Sequence, residues 1–370
     1  MFENDQRIIM TLDAGGTNFV FSAMQHGEQI AQEVHLPSVP NSQMGCLEQL
    51  VKGFRQVEKQ VVEQLKKRPA AISFAFPGPA DYLHGVIGDL PNFPAFRGGV
   101  AMGAYLEKEF ELPVYINNDG NLYAYGEALF GALPQVNSLL KQGGSSRRYR
   151  NLIGVTFGTG FGCGVVINKT LLRGDNGCGG DLWLMRNGHN PRMIAEENVS
   201  VRGVKRVYEE FSGECANNLS PKDIFDIAEG CKAGNQNAAR KSFFRMGEVA
   251  GDALVTALNL VDGLVVIGGG LAGAAKYILP GVMSMTNSTL LTYAGDEFPC
   301  LQSEAYNLED EDDLKAFLRD DDQRVKVPAS DSEVEYIQHR KVGILTSRLG
   351  ASRAVALGAY AFALNQLDEE

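Results

Sequence analysis

The sequence contains one pattern twice: an apolar strand, a glycine turn that holds a threonine, and a second apolar strand. The first copy covers residues 8–21, with DAGGTN at 13–18, and the second covers residues 151–167, with FGTG at 157–160. Short apolar runs bounded by glycines predict buried strands. Glycine lets an anion approach the backbone amides because no Cβ is in the way. The repeat predicts a duplicated fold with two phosphate-contacting turns, although the first turn alone is also typical of an ordinary hairpin.

Strands and helices alternate around these two units. A strand opens each of the segments 72–81 and 114–121, a helix is predicted near 47–67, and a helix rich in small residues is predicted at 351–367. This order is typical of an α/β protein. Because 370 residues exceed the usual size of one hydrophobic core, two lobes are expected. The acidic run at 307–323 is interpreted as a solvated surface insertion.

Charge and cysteine usage exclude several classes. The formal net charge of −11 argues against nucleic acid or an anionic membrane as the main partner, since no basic surplus is available to neutralise phosphates. The six cysteines form no C-x-C or C-x-x-C pair, which disfavours a disulfide framework and a cysteine-rich zinc site. We expect free thiols in a reducing cytoplasm. No apolar run approaches the ~20 residues that span a bilayer.

A dinucleotide-dependent oxidoreductase is one class to consider. GGGLAG at 268–273 matches G-x-G-x-x-G after an apolar strand, and Asp296 or Glu297 lies at a suitable distance for a ribose contact. That fingerprint usually opens a dinucleotide-binding fold, whereas here it comes late in the chain. GFGCG at 160–164 leads into a strand and not into a helix, so the context that the motif requires is missing.

A phosphotransferase accounts for more of the chain. Phosphoryl transfer needs amides and a divalent cation around the phosphates, and a carboxylate that orients or deprotonates the accepting hydroxyl. Asp119, in NNDGN at 117–121 after a predicted strand, is the candidate carboxylate. An aspartate between asparagine and glycine at a strand end is also typical of a simple turn.

Together the motifs resemble the ROK family of sugar kinases and repressors, within the actin and hexokinase superfamily. Each motif is weak alone, but the ordered series spans most of the chain and is specific. The matching segments are DAGGTN (13–18), FPGPAD (76–81), LPNFPAF (90–96), NNDGNLYAYGEALFG (117–131), FGTGFGCG (157–164), RGDNGCGGD (173–181), EENVS (196–200) and VVIGGG (265–270).

The resemblance implies an α/β, two-lobed actin-like ATPase fold of the ribonuclease H-like type, with a ligand cleft between the lobes. The small N-terminal lobe would comprise residues 1–120, joined by the C-terminal helix 351–370. The large lobe would comprise residues 121–350, with an acidic insertion near 300–335.

The resemblance also implies roles for individual residues. Asp13 is expected to support Mg²⁺ through water. Asn92, Asn118 and Asp119 resemble the sugar-contacting set, with Asp119 as the general base on the acceptor hydroxyl, in this family most often the one at C6 of a hexose. The glycine turns are expected near ATP, the first two at its phosphates and the third on its adenosine side: Gly15, Gly16, Thr17, Gly158, Thr159, Gly160, Gly268, Gly269 and Gly270.

The sequence departs from the family pattern around the sugar. Asp181 stands where the family has a sugar-binding glutamate. The cysteines of the family's zinc knuckle are missing, so no structural zinc is expected. His189 is a candidate for the family's histidine, with a hydrogen-bonding or surface residue as the alternative. Glu196 matches a glutamate that contacts the sugar near C1 or C2, and a solvated charge at a helix start is its alternative.

These residues predict an ATP- and Mg²⁺-dependent kinase of a hexose or N-acetylhexosamine that acts at the C6 hydroxyl, as a glucokinase does, in a cytoplasmic homodimer. N-acetylmannosamine kinase and N-acetylglucosamine kinase are alternatives, because the altered side chains are those expected around C1 and C2. A non-catalytic sugar sensor is a further alternative. A ROK repressor is disfavoured, because DAGGTN lies only a few residues from the start of the sequence and the chain is acidic.

Overall fold

The computed structural model describes residues 2, 5–14, 18–78, 80–88, 95–320 and 323–369, which form a mixed α/β structure. The strands of these residues are β1 (Ile9–Ala14), β2 (Asn18–Gln25), β3 (Glu28–Gln29), β4 (Val34–Pro37), β5 (Ala71–Ala75), β6 (Ala80–Asp81), β7 (Val86–Ile87), β8 (Val100–Ala101), β9 (Val114–Asn117), β10 (Leu152–Phe157), β11 (Phe161–Ile167), β12 (Thr170–Leu171), β13 (Arg186–Asn187), β14 (Asn190–Ile194), β15 (Leu264–Gly268), β16 (Thr289–Leu291), β17 (Glu297–Pro299), β18 (Glu304–Asn307), β19 (Gln323–Lys326), β20 (Glu333–Tyr336) and β21 (Lys341–Thr346).

The α-helices are α1 (Gln43–Leu65), α2 (Met102–Phe110), α3 (Asp119–Phe130), α4 (Ala132–Gln142), α5 (Val201–Ser212), α6 (Pro221–Glu229), α7 (Gln236–Val261), α8 (Ala275–Thr286), α9 (Glu311–Leu318) and α10 (Ala351–Glu369). Short 3₁₀ helices lie at Leu182–Leu184, Ala195–Glu197 and Gly270–Ala274. None of the described helices combines the length and the apolar character that a membrane crossing requires.

The chain divides into two compact units. The first consists of Met1–Gly131, Gly164–Gly180 and Leu349–Glu370, and the second of Ala132–Cys163 and Asp181–Arg348. The lobes expected from the sequence, at 1–120, 121–350 and 351–370, stay a prediction.

The first unit is built on a sheet with the strand order β3-β2-β1-β5-β9, and β4 pairs with β2. The strands β1, β5 and β9 run parallel, whereas β2 runs antiparallel to β1. Because parallel neighbours end on the same side, the carboxyl ends of β1, β5 and β9 lie side by side. In open α/β sheets this edge is the usual place for a ligand.

One face of this sheet is covered by α1. Leu12 and Phe74 point to that face, and Phe54 of α1 packs on Phe74 with ring centroids 5.8 Å apart. The helix starts after Ser42, whose side chain accepts a hydrogen bond from the amide of Gly45 at 3.0 Å. Such a cap stabilises a helix by about 1 kcal/mol.

The helix α10 contacts the same sheet and packs against α3 at very short range. A Cβ placed on Gly126 would lie 1.9 Å from the carbonyl oxygen of Ala354, and one on Gly358 would lie 1.9 Å from the carbonyl oxygen of Leu122. Each helix therefore presents a glycine to the backbone of the other. Any side chain at these two positions would push the helices apart.

A second sheet has the strand order β12-β11-β10-β15-β21-β18. Its parallel strands β10, β15, β21 and β18 belong to the second unit. Here α7 and α8 also pack through glycines: a Cβ on Gly247 would lie 2.1 Å from the carbonyl oxygen of Ile278, and one on Gly281 would lie 2.3 Å from that of Phe244. The carboxyl ends of β10 and β15 again lie next to each other.

The acidic run at 307–323 contributes to secondary structure. Asp310 caps α9 by accepting hydrogen bonds from the amides of Asp312 and Asp313, and acidic residues in a first helical turn are favoured by the helix dipole. Phe317 is fully buried and stacks on Tyr149 with ring centroids 5.7 Å apart. This apolar anchor is a feature that the charge pattern did not indicate.

Candidate functional site

Polar side chains follow the parallel strands of the first unit at their carboxyl ends. Asp13 lies near the end of β1, and Asn118 and Asp119 follow β9 directly. Strand order therefore brings Asp13 and Asp119 to the same end of the sheet, the carboxyl ends of its parallel strands, with β5 between them. The charge of Asp13 contributes to the pKa of Asp119, so the two carboxylates are within electrostatic reach of each other.

The turn between β9 and α3 presents Asn118 and Asp119. Asn118 is the N-cap of α3, and its Oδ1 accepts a hydrogen bond from the amide of Gly120 at 2.8 Å. The Oδ1 of Asp119 accepts from the same amide at 2.9 Å. Its Oδ2 has no hydrogen-bond partner among the described residues, so this oxygen is available to a ligand hydroxyl.

The pKa of Asp119 is raised from its ordinary value, chiefly because the surrounding protein desolvates the carboxylate. The amide of Gly120 opposes this shift, and the charge of Asp13 adds to it. The side chain is nevertheless exposed, so water and small solutes still reach a group that protein atoms crowd on its other sides. A carboxylate whose pKa is raised is a better general base.

Two buried asparagines support this turn from below. The Oδ1 of Asn117 accepts hydrogen bonds from the amide of Asn118 at 2.8 Å and from Nδ2 of Asn121 at 3.1 Å. Asn117 and Asn121 are only 3% and 4% exposed. Neither residue is predicted from the sequence, although polar residues four apart across a strand end and a first helical turn are a usable signal.

In the second unit, the turn after β10 is held by backbone hydrogen bonds. The amide of Gly158 donates to the carbonyl of Gly160 at 3.0 Å, and the amide of Val201, at the start of α5, donates to the carbonyl of Gly158 at 2.9 Å. Thr159 is exposed and makes no hydrogen bond within the described ranges. The turn therefore leaves an accessible amide and hydroxyl at the end of a central strand, as an anion site requires.

The turn after β15 lies against the end of β10. Gly269 has φ +87°, and a Cβ on it would lie 2.4 Å from the carbonyl oxygen of Phe157. Only glycine fits both conditions. The next residue, Gly270, has open space where its Cβ would be. Strand pairing and this contact place the turns at 158–160 and 268–270 side by side, as two parts of one nucleotide site would be.

Glu196 contacts the glycine turn of its own unit. Its Oε2 accepts a hydrogen bond from the amide of Phe161 at 3.0 Å, and its Oε1 accepts from Arg202 at 2.8 Å. A Cβ on Gly160 would lie 2.6 Å from Oε2, so the carboxylate packs directly on the turn. The structure thus gives Glu196 a bracing contact that the sequence did not indicate. The predicted sugar contact stays a prediction.

Asp181 and His189 lie in different surroundings. Asp181 is exposed. The pKa of the Cys163 thiol is raised chiefly by burial and further by the carboxylate of Asp181, which places Asp181 near the start of β11. His189 contacts Glu248 through Nε2 at 3.2 Å, and Glu248 also accepts from Arg245 at 3.0 Å. The histidine therefore links the β13–β14 hairpin to α7 by a contact between its ring nitrogen and a carboxylate.

Several predicted site residues lie outside the described residues: Gly15, Gly16, Thr17 and Asn92. Their roles stay predictions. Within the described part of the chain, no group of three or more His, Cys, Asp or Glu side chains is arranged to hold a metal ion.

Comparison with known proteins identifies the family. The ROK family profile matches residues 9–310. The crystal structure of a glucokinase from Parabacteroides distasonis ATCC 8503 has a TM-score of 0.88 and 53% identity, covering 99% of both chains. A ROK family glucokinase from Streptomyces griseus, solved with glucose and AMPPNP, has a TM-score of 0.58 and 17% identity over 96% of this chain and 98% of its own, which shows the fold alone.

A xylose repressor from Bacillus spizizenii is 25% identical over 215 residues, which are 55% of this chain and 50% of the repressor. The chain spans about half the length of the curated relatives it matches. The α/β actin-like ATPase fold predicted from the sequence is confirmed by the solved structures. With a profile match over most of its length, the chain belongs to the ROK family.

Proposed function

We propose that this protein is a sugar kinase that transfers the γ-phosphoryl group of ATP to the C6 hydroxyl of a hexose, with glucose as the first candidate and an N-acetylhexosamine as the second. Asp119 carries the proposal: it is an accessible carboxylate at the carboxyl end of a parallel strand, with a raised pKa and an oxygen that no described residue occupies. The 53% identity to a glucokinase supports glucose.

Asp119 would accept the proton of the sugar hydroxyl. The hydroxyl oxygen then bonds to the γ-phosphorus while the bond from that phosphorus to the bridging oxygen breaks, which yields the sugar phosphate and ADP. Asn118 would orient the sugar, because Gly120 occupies its Oδ1 and leaves its amide nitrogen for a hydroxyl. Asn117 and Asn121 are positioning residues that hold this turn.

The two adjacent glycine turns of the second unit suit a nucleotide. The accessible amide of Thr159 and the open space at Gly158 suit phosphate oxygens, and the turn at 268–270 suits the adenosine side. Asp13 is exposed at its strand end and offers the oxygen ligands that Mg²⁺ prefers, directly or through water. When bound, Mg²⁺ neutralises charge on the phosphates.

Sugar selection is assigned to the residues at which the chain is predicted to contact the sugar. Of the predicted sugar contacts, Glu196 and His189 already have protein partners. The carboxylate of Asp181 makes no hydrogen bond to any described residue, so we place it nearest the C1 and C2 positions. Asn92 completes the proposed set.

We further propose a cytoplasmic homodimer without a nucleic-acid partner. The cysteines of the chain are free thiols, which suits a reducing compartment. The acidic balance of −11 suits small-molecule substrates better than a polyanion.

The test is release of ADP from Mg²⁺-ATP over a panel of glucose, mannose, N-acetylglucosamine and N-acetylmannosamine, with wild-type protein and Asp119→Asn. Loss of the general base should lower turnover by about 10²- to 10⁴-fold while glucose still binds by calorimetry. If no sugar stimulates ADP release, the kinase proposal fails. If Asp119→Asn keeps wild-type turnover, the base is another residue.

A sugar-binding protein without catalysis is the second candidate, because the family includes the xylose repressor, which is similar to part of this chain. It predicts a sugar dissociation constant that ATP leaves unchanged and no ADP release with any sugar.

A further inference from the structure

The exposed apolar side chains of this protein are concentrated in one stretch. Among the described residues, sixteen large apolar side chains are exposed, and eight of them lie between residues 289 and 337. Single exposed apolar residues are normal, but a concentration marks an interaction surface. The eight are Leu290, Leu291, Tyr293, Phe298, Val325, Val334, Tyr336 and Ile337.

These side chains belong to two hairpins. We call the β16–β17 hairpin, residues 289–299, the first arm and the β19–β20 hairpin with the residue after it, 323–337, the second arm. Each arm is a separate two-stranded sheet in which every strand residue is exposed. An isolated hairpin is marginally stable in water, so a partner that covered the arms would stabilise them.

The two arms start from adjacent positions on the second unit's sheet. The first arm leads into β18 and the second into β21, and these strands are parallel neighbours with Glu304 opposite Lys341. At the base, Arg340 donates to the side chain of Gln302 at 2.9 Å, and its carbonyl accepts from the amide of Glu304 at 2.9 Å. Both arms therefore lie at the amino end of the sheet, opposite to the glycine turns.

The second arm has one apolar and one charged face. Val325 lies opposite Val334, whereas Arg324 lies opposite Glu335. Because successive strand residues point to opposite faces, the valines share a face that carries no charge. The arginine and the glutamate can stay in water while that face is covered.

The first arm has an exposed apolar pair as well. Leu290 lies opposite Phe298, and these side chains are 62% and 58% exposed. Tyr293 in the turn is fully exposed.

We propose that the two arms form the homodimer interface, in which the apolar faces of one protomer pack against the same faces of a second copy. A two-fold axis brings a patch onto itself, so an uncharged patch is self-complementary. Outside these uncharged faces, the net charge of −11 makes two copies of the chain repel each other. This inference rests on the homodimer of the proposed function and names its surface, and it does not depend on the sugar.

The exposed area of the arms supports a stable dimer. The three aromatic side chains, Tyr293, Phe298 and Tyr336, bury about 150–250 Å² each when fully covered and are on average about three-quarters exposed, so they alone offer about 450 Å². The aliphatic side chains on the apolar faces add to this area. One protomer contributes about 800 Å² to a standard protein interface.

The test is sedimentation velocity of the whole protein at several concentrations, with two double variants, Leu290→Lys with Phe298→Lys and Val325→Lys with Val334→Lys. The matched control is Leu83→Lys, since Leu83 is 72% exposed and belongs to the first unit and to neither arm. We expect wild-type and control protein to sediment as dimers and each double variant to dissociate with a constant raised by about 30-fold or more.

A monomeric wild-type protein overturns the inference, and so does a dimer that persists in both double variants. Circular dichroism melts monitor folding. If a lysine pair unfolds the protein, Tyr293→Ser at the exposed turn replaces it under the same criteria. ADP release on the same samples separates the two proposals: arm variants that dissociate without kinase activity in any sample support the interface and refute the kinase.

Discussion

The two units place different chemistry at the carboxyl ends of their parallel strands. In the first unit the ends carry carboxylates, Asp13 and Asp119. In the second unit the ends of β10 and β15 run into glycine turns with open backbone. A carboxylate repels phosphate and a glycine admits it, so the proposed base belongs to the first unit, whereas two of the three proposed ATP turns belong to the second. Substitutions in the glycine turns of the second unit should therefore leave sugar binding intact.

The largest effect is expected from Gly269→Ala, which changes a glycine turn of the second unit. The new Cβ would lie 2.4 Å from the Phe157 carbonyl in a left-handed conformation, so the turn must move. We expect the KM for ATP to rise by about 100-fold or turnover to vanish, and the free energy of unfolding to fall by about 2 kcal/mol. Steady-state kinetics and a urea melt measure both.

Gly270→Ala is the matched control, because its Cβ would meet no atom within 4 Å. A control variant that is as impaired as Gly269→Ala would mean that any added methyl group blocks the nucleotide, and that backbone geometry at Gly269 is not the cause.

Asp13→Ala tests the proposed role of the Asp13 carboxylate in supporting Mg²⁺. Its removal should raise the KM for Mg²⁺-ATP by about 10-fold, which corresponds to about 1.4 kcal/mol, because Mg²⁺ would lose one of its oxygen partners. Glucose binding, measured by calorimetry without nucleotide, should not change. A variant that loses glucose binding and keeps its KM for Mg²⁺-ATP would reverse the assignment of Asp13 and Asp119.

Glu196→Gln tests whether the carboxylate of Glu196 supports the glycine turn at 158–160, where the nucleotide is proposed to bind. Its loss weakens a partly exposed ion pair with Arg202 and the hydrogen bond from Phe161, each about 0.5–1 kcal/mol, so a three- to tenfold rise in the KM for ATP is expected. Glu197→Gln is the control, because Glu197 also pairs with Arg202 but makes no contact with the turn in the described structure. A rise in the KM for sugar alone would show that the sugar contact is the true role.

The smallest effect concerns pH and stability at Asp119. Its pKa is raised in the folded protein, so the folded state holds this proton more tightly than the unfolded chain does. The associated stability is present below the unfolded pKa and is lost as the pH rises through the folded pKa. At pH 7 the Asp119→Asn variant should therefore melt at a slightly higher temperature than wild type. At a pH below the unfolded pKa of the aspartate, the two proteins should melt at the same temperature. An equal or lower melting temperature at pH 7 would contradict this.

The same shift sets the direction of the pH dependence of activity. Asp119 must be ionised to act as a base, so kcat/KM should fall on acidification at a higher pH than an ordinary aspartate would give. Asp13→Ala removes a neighbouring negative charge, so the fall of kcat/KM on acidification should occur at a lower pH in this variant.

The features of the candidate site that could be predicted from the sequence are those contained in a short local pattern. NNDGN after an apolar strand located Asn118 and Asp119, and the glycine turns located the strand ends of the second unit. Contacts between segments distant in the chain were not readable. The bracing of the turn by Glu196 depends on how residue 196 meets residue 160, and the burial of Phe317 within an acidic run depends on a tyrosine far upstream. Composition carries no record of such long-range geometry.

The glycine contact between α3 and α10 bears on how the protein is made. During synthesis α3 emerges early, whereas α10, which it meets at Gly126 and Gly358, emerges only after the strands and helices of the second unit. Until then the face of the first sheet that α10 contacts is incomplete, because closing a long loop must precede the contacts that reward it. The second unit, whose segments are made between these two helices, is able to mature first on the ribosome, and the carboxylate-bearing unit is finished last.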